Sequence, residues 1–163
     1  DPVNVPGEIL TKVPNVLLGY YKNEEDTGQT IDKDGWFHTG DLGLMDEDGN
    51  VFIKGRSKNM LLGSNGQNIY PEEIEDKLNS LPLVSECLVI QSGEKLIALV
   101  HPDYDEAQNL GLNADDLKNI MEENRTQLNT IVPAYCKVAE IRIQEEEFEK
   151  TPKKSIKRFL YTE

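Results

Sequence analysis

The chain has 163 residues, of which 37% are hydrophobic and 29% charged, and its net charge is −13. This composition is typical of a globular protein, and the length suits one domain or two small ones. The negative charge argues against broad nucleic-acid binding, which needs clustered cations. No apolar run reaches the roughly 20 residues of a membrane span. The first residues show neither a starting Met nor a signal peptide, so we expect a fragment of a longer chain.

The first third of the chain has strand character. The run "EILTKVPNVLLGYY" (8–21) is rich in apolar and β-branched residues, and "LGLMDEDGNVFIKG" (42–55) predicts a hairpin around Asp48-Gly49-Asn50. We therefore expect only strands up to about residue 56. A second hairpin is predicted over 59–70, with its turn at Gly63-Ser64-Asn65-Gly66.

From residue 71 the spacing of apolar residues changes from that of strands to that of a helix. Pro71 is a suitable first residue of a helix, which Pro82 should end. Two β-rich runs, 84–91 and 95–101, follow on either side of "SGE" and predict an antiparallel pair.

A longer helix should begin near Asn113, with Asp116 completing an approximate capping box. A strand over 137–143 and a short helix over 155–162 complete the predicted order. One face of the longer helix is mostly apolar, and such a face more often packs in a core than binds a ligand. Its residues are Leu117, Ile120, Met121, Asn124, Leu128 and Ile131.

The two cysteines, Cys87 and Cys136, lie far apart in apolar surroundings. They are typical of buried thiols in a cytoplasmic protein rather than of a disulfide framework. With two histidines and no close Cys or His pairs, the sequence predicts no metal site.

Asp41 and Arg56 are the first candidate site residues. A carboxylate flanked by Gly40 and Gly43 could accept two hydrogen bonds from a vicinal diol such as a ribose, although a turn-forming Asp is the commoner role. The guanidinium of Arg56 could bind phosphate, although most such residues are simply solvated. The hairpin between them could bring both to one edge.

Four segments together resemble the adenylate-forming superfamily, which includes acyl-CoA synthetases, luciferases and peptide-synthetase adenylation domains. They are "GEILTKVPNVLLGYYKN", "GWFHTGDLG", "GRSKNMLLGSNGQNIYPEEIE" and "EKTPKKSIKR", and they occur in the family's order. Within the superfamily, the last two segments look most like long-chain fatty acyl-CoA ligases.

The resemblance implies an α+β fold in two parts. Residues 1–57 would be the β-rich edge of a distorted barrel subdomain in the large adenylation domain. Residues 58–163 would be a mobile α+β cap with a β-hairpin, a three-stranded sheet and helices. Lys58 would be the hinge between two half-reactions, acyl-adenylate formation and thioester formation with CoA.

The resemblance also assigns roles to the candidate residues. Asp41 would bind the ribose hydroxyls of ATP and AMP, Arg56 would assist at the same nucleotide, and the turn Ser64-Asn65-Gly66 would face CoA. The family's catalytic Lys lies four residues after the Thr of its TxxGK motif, a position that Ser155 occupies here. Lys154 is therefore the first candidate for that role, and the alternative is adenylation without the lysine.

The implied small molecules are a fatty acid, ATP, CoA and Mg²⁺. The Mg²⁺ ligands, the phosphate loop and the acyl pocket would lie upstream of Gly7, in the missing N-terminal domain of the same chain. The fragment alone should then be inactive. Peripheral membrane contact stays open. Two alternatives are a non-catalytic interaction module that retains the fold and an adenylation domain that loads a carrier protein.

Overall fold

The computed structural model describes residues 5–15 and 17–162, which form two compact units. The first unit ends at Met60 and the second begins at Leu61. Among the described residues, no helix has both the length and the apolar character that crossing a bilayer requires.

The first unit is built on a three-stranded antiparallel sheet in the order β1-β2-β3. The predicted hairpin between β2 and β3 is confirmed, and Asp46 closes it by accepting hydrogen bonds from the Asp48 and Asn50 amides at 3.0 and 2.8 Å. Gly49 supplies the positive φ of +85° that this turn needs. The elements are β1 (Gly7–Thr11), α1 (Glu24–Thr30), β2 (Phe37–Met45) and β3 (Val51–Arg56).

The prediction of strands alone in this region is wrong in two places. The strand predicted over 8–21 ends at Thr11, which pairs with Phe37, the first residue of β2. Helix α1 was not predicted, and Asn23 caps it by accepting from the Asp26 amide at 3.1 Å. Three acidic residues in its first turn, 24–26, complement the helix dipole.

The second unit contains a two-stranded hairpin and a three-stranded sheet, as predicted. The sheet order is β6-β7-β8, with β6 and β7 antiparallel and β7 and β8 parallel. Helix α4 provides the crossover that a parallel pair requires. The elements are β4 (Leu61–Leu62), β5 (Asn68–Ile69), α2 (Pro71–Asn79), β6 (Val84–Ser92), β7 (Lys95–Pro102), α3 (Tyr104–Asn109), α4 (Ala114–Ile131) and β8 (Val138–Ile143).

The capping box that begins α4 is confirmed. The Asn113 side chain accepts hydrogen bonds from the amides of Asp115 and Asp116, and the Asp116 carboxylate accepts from the Asn113 amide. Asn124 is buried and donates to the Pro82 carbonyl at 2.8 Å. Ile131 does not join the buried face and is 51% exposed, because the helix ends there.

The sheet of the second unit is covered on both faces. One face packs against α2 and α4 in the main core, which also contains Cys87 and Cys136. Both cysteines are free and buried, as predicted, and burial raises the pKa of each thiol. The other face is covered by Phe148, Ile156 and Tyr161.

The C-terminal segment departs from the predicted helix over 155–162. Only residues Arg158–Leu160 form a single 3₁₀ turn, because Lys150 and Ile156 pair in an antiparallel bridge just before it. Helix α3 is an addition that the sequence pattern did not predict. It is short and is capped by Asp103, whose side chain accepts from the Glu106 amide at 3.0 Å.

Candidate functional site

Asp41 and Arg56 lie opposite each other in the ladder between β2 and β3. Arg56 Nε is 3.1 Å from Asp41 Oδ1, and the guanidinium also donates to the Thr39 carbonyl at 3.0 Å. The Asp41 side chain remains 38% exposed. The hairpin therefore brings the two predicted residues together, with the carboxylate accessible to a ligand.

The backbone beside Asp41 is held by its neighbours. The Thr39 hydroxyl accepts from the Asp41 amide at 3.1 Å and donates to the Ile9 carbonyl at 2.7 Å. Gly40 has a φ of +72°, and a Cβ there would lie 3.3 Å from Arg56 Nη1. Glycine therefore suits the backbone conformation at this position, and a larger residue would have to displace the Arg56 guanidinium by a few tenths of an ångström.

His38 and Glu8 add a polar cluster that the sequence analysis did not identify. Glu8 Oε2 lies 2.8 Å from His38 Nδ1, while Glu8 Oε1 accepts from the Gly40 amide at 3.0 Å. Asp32 Oδ2 lies 3.8 Å from His38 Nε2. The Glu8 hydrogen bond, with the charges of Glu8 and Asp32, raises the pKa of His38. The histidine is thus linked through Glu8 to the backbone that carries Asp41.

The predicted hinge residue Lys58 lies in a one-turn 3₁₀ helix, Ser57–Asn59, and is exposed. The division between the two compact units falls between Met60 and Leu61, just after this turn. Asp41, Arg56 and Lys58 therefore belong to the first unit, whereas the predicted Ser64–Gly66 turn and Lys154 belong to the second.

The turn Ser64-Asn65-Gly66 is exposed at the tip of the β4–β5 hairpin. Its Gly66 amide donates to the Gly63 carbonyl at 2.9 Å, and the Asn65 side chain accepts from the Gln67 amide at 3.2 Å. Gly66 has a φ of +77°. These contacts give the turn a defined shape with its outer surface open to solvent.

A cleft of about 240 Å³ adjoins this turn and is lined by Ser64 and Asn65 on one side. Lys95 and Lys137 line it as well, next to Tyr135. Leu96 and Val138 are paired in the parallel ladder of β7 and β8. Lys95 directly precedes Leu96 and Lys137 directly precedes Val138, so the register brings the two lysines together. Neither lysine could be identified from the sequence, because only the sheet register brings them together.

The basic segment "KTPKKSIKR", residues 150–158, forms a second tight turn between Thr151 and Ser155. The Lys154 amide donates to the Thr151 carbonyl, and the Thr151 amide donates to the Ser155 carbonyl, both at 2.8 Å. Lys154 has a φ of +61°, a conformation that glycine adopts most readily. Lys154 and Ser155 are both exposed. The hydrogen bonds fix the position of each residue in the turn.

Other cations of this segment are held by carboxylates of the same unit. Lys150 Nζ lies 2.5 Å from Glu86 Oε1, and Lys157 Nζ lies 3.0 Å from Glu149 Oε2. Arg158 pairs with Glu75, which is only 8% exposed. Lys150 and Arg158 fasten the segment to the rest of the unit, the Lys157–Glu149 pair lies within it, and Lys154 extends from the turn.

Comparison with known proteins gives a consistent result. The family model described as "AMP-binding enzyme C-terminal domain" matches residues 58–163. A probable acyl-activating enzyme 9 of Arabidopsis thaliana is 37% identical over 165 residues, which cover 98% of this chain and 28% of the relative. A 2-succinylbenzoate–CoA ligase of Bacillus cytotoxicus is 47% identical over 94 residues, covering 58% of this chain and 19% of the ligase.

A solved structure gives the same answer. The anthranilate CoA ligase AuaEII, solved in complex with anthranoyl-AMP, superposes with a TM-score of 0.82 and 26% identity, covering 99% of this chain and 29% of that protein. The chain thus spans less than a third of the length of each of these three proteins. The resemblance to the adenylate-forming superfamily is confirmed, and the chain belongs to the AMP-binding enzyme C-terminal domain family.

Proposed function

We propose that the chain is the C-terminal part of an ATP-dependent, AMP-forming acid–CoA ligase whose substrate is a fatty acid. A carboxylate first attacks the α-phosphate of ATP, which gives an acyl-adenylate and pyrophosphate. The thiolate of CoA then attacks the acyl carbonyl and releases AMP. The paired and accessible Asp41 and Arg56 carry this proposal, with support from relatives that are named as CoA ligases.

Asp41 is proposed to accept hydrogen bonds from the two ribose hydroxyls of the nucleotide. Arg56 lies against one carboxylate oxygen, Oδ1, and the Asp41 side chain remains 38% exposed. A carboxylate held in one orientation by a guanidinium is well suited to bind a vicinal diol, since charge-assisted hydrogen bonds are short and directional. Arg56 itself adds positive charge beside the nucleotide.

The second unit is proposed to move as a cap about Lys58, with residues 1–57 as the edge of a larger nucleotide-binding domain. The exposed turn at Ser64-Asn65-Gly66 would then face the acyl-adenylate in the thioester-forming step. The adjoining cleft supplies Lys95 and Lys137, whose charges suit the phosphates of CoA.

Lys154 is proposed to interact with the phosphate in the adenylation step, where a cation would stabilise the developing charge. Its exposure in the tight turn supports this role. The described residues contain no group of three or more His, Cys, Asp or Glu side chains suited to a metal ion.

A pyrophosphate-release assay on the full-length protein with acids of different chain lengths tests the proposal. We expect ATP-dependent pyrophosphate release that is fastest with a fatty acid, followed by CoA-dependent AMP release. Equal rates with all fatty and aromatic acids would contradict the fatty-acid assignment. No pyrophosphate with any acid would contradict the ligase activity itself. The 163-residue chain alone should release none.

A second candidate function is that of a non-catalytic module that retains the fold. Ser155, at the position where the resemblance expects the catalytic lysine, favours this alternative. The retained Asp41–Arg56 pair weighs against it, because a module without nucleotide chemistry has no need of an exposed carboxylate at this point. Absence of nucleotide binding by the full-length protein would support the second candidate.

A further inference from the structure

The final part of the second unit is a strap, residues 148–161, that lies across the outer face of the three-stranded sheet. Phe148 is 3% exposed and packs with Leu88, Ile90 and Ile97. The Tyr161 ring meets the Phe148 ring edge-on at 5.1 Å, and the Tyr161 hydroxyl accepts from the Glu149 amide at 2.8 Å. The strap carries the Thr151–Ser155 turn at its tip.

Glu75, on the buried face of α2, joins the strap to the rest of the unit. One of its oxygens, Oε1, accepts from the Val89 amide at 2.7 Å, and the other, Oε2, pairs with the Arg158 guanidinium. Arg158 also lies 3.9 Å from Glu72. With 8% of Glu75 exposed, removal of its partner would leave a desolvated charge, which is strongly unfavourable.

Helix α2 is also connected to the Ser64–Gly66 turn. It begins at Pro71, directly after the β4–β5 hairpin that carries Ser64–Gly66. Ile69 of that hairpin is 2% exposed and belongs to the same core as Ile74 of α2. Glu75 therefore connects the strap to the helix that directly follows the hairpin and shares a core with it.

We propose that Glu75 and Arg158 are positioning residues, which hold the Thr151–Ser155 turn at a fixed place relative to the Ser64–Gly66 turn. This inference rests on the proposed function, in which the two turns serve different half-reactions. Neither residue contacts a reacting atom in this account. The pair acts by keeping the strap against α2 and β6.

The variant Glu75→Gln tests the contribution of the Glu75–Arg158 ion pair. A glutamine can still accept from the Val89 amide but carries no charge for Arg158, so the strap should loosen while the sheet stays intact. Hydrogen exchange of the Lys154 and Lys157 amides should accelerate by about tenfold or more, whereas β6 and β7 amides should not change. The matched control Glu122→Gln, in the exposed Glu122–Arg125 pair on α4, should leave the strap unaffected.

In the full-length protein, Glu75→Gln should slow acyl-adenylate formation and spare thioester formation from supplied acyl-adenylate. Unchanged strap exchange, or an equal loss in both half-reactions, would overturn the proposal. If Glu75→Gln does not fold, Arg158→Lys serves the same test, because lysine keeps the charge but loses the guanidinium whose Nη2 lies near both Glu75 and Glu72. A wild-type protein that forms no acyl-adenylate would refute the proposed function, while the exchange measurement would still decide the role of the pair.

Discussion

Arg56 and Asp41 occupy directly paired positions of β3 and β2, and Arg56 Nε lies 3.1 Å from Asp41 Oδ1. The two side chains are 60% and 38% exposed. An ion pair this exposed contributes little to folding stability, because both charges are already well solvated. Folding stability therefore does not account for the pair, and we propose that a ligand uses the oriented carboxylate.

Substitution of Arg56 by Gln tests this explanation. We expect the Tm to stay close to that of the wild type, since an exposed pair contributes about 1 kcal/mol or less. The KM for ATP in acyl-adenylate formation should rise by about tenfold, since a hydrogen bond to a charged group contributes about 1.5–3 kcal/mol. Arg125→Gln, which breaks an exposed pair on α4, is the control and should leave the KM unchanged. A normal KM for Arg56→Gln would remove Arg56 from the nucleotide site.

Gly40 and Gly49 provide a matched pair of substitutions. Both have positive φ, so alanine at either should cost about 1 kcal/mol of stability. Only at Gly40 would the new Cβ meet Arg56, at 3.3 Å from Nη1, whereas Gly49 has open space around it. Gly40→Ala should therefore raise the KM for ATP and Gly49→Ala should not. Equal effects on KM would show that backbone strain alone is responsible.

The raised pKa of His38 predicts that the stability of the first unit depends on pH. Because Glu8 and Asp32 raise its pKa in the folded state above the ordinary 6.5, the stabilising contacts of the imidazolium are complete below pH 6.5. They are lost as the pH rises through the folded-state pKa. The Tm of the wild type should thus fall more steeply than that of His38→Gln as the pH is raised from 6.5. Parallel curves for the two proteins would contradict this coupling.

Substitutions of Lys154 and Ser155 test the role of the Thr151–Ser155 turn in the strap. Lys154→Ala should slow acyl-adenylate formation by about tenfold or more while sparing thioester formation from supplied acyl-adenylate, because bonds are formed and broken at the α-phosphorus only in the first step. Lys153→Ala, a neighbouring exposed lysine in the same turn, is the control. Ser155→Lys should increase the adenylation rate. Unchanged adenylation in Lys154→Ala would exclude Lys154 from the mechanism.

Local signals in the sequence predicted the elements that they directly control. The Asp48-Gly49 turn, Pro71 at the start of α2 and the Asn113 cap of α4 each act within a few residues, and all three were found where expected. Helix α1 was missed, because its cap at Asn23 lies in a polar stretch without an apolar period.

Contacts between distant residues could not be predicted in this way. Glu8 and His38 are 30 residues apart, and Glu75 and Arg158 are 83 apart. The register of β1 on β2 and the path of the strap bring these pairs together, and neither follows from hydrophobic periodicity. The pairing of Asp41 with Arg56 was predictable only because one tight hairpin separates them.

The contact between Asp41 and the ribose is the central claim, and calorimetric titration of AMP into the full-length protein tests it most directly. We expect Asp41→Asn to weaken AMP binding by about tenfold or more, since it removes a charged acceptor. Asp48→Asn, in the exposed β2–β3 turn, should not weaken it. A 2′,3′-dideoxy analogue of AMP should bind wild type and Asp41→Asn with equal affinity. If Asp41→Asn binds AMP as tightly as the wild type does, the account is contradicted.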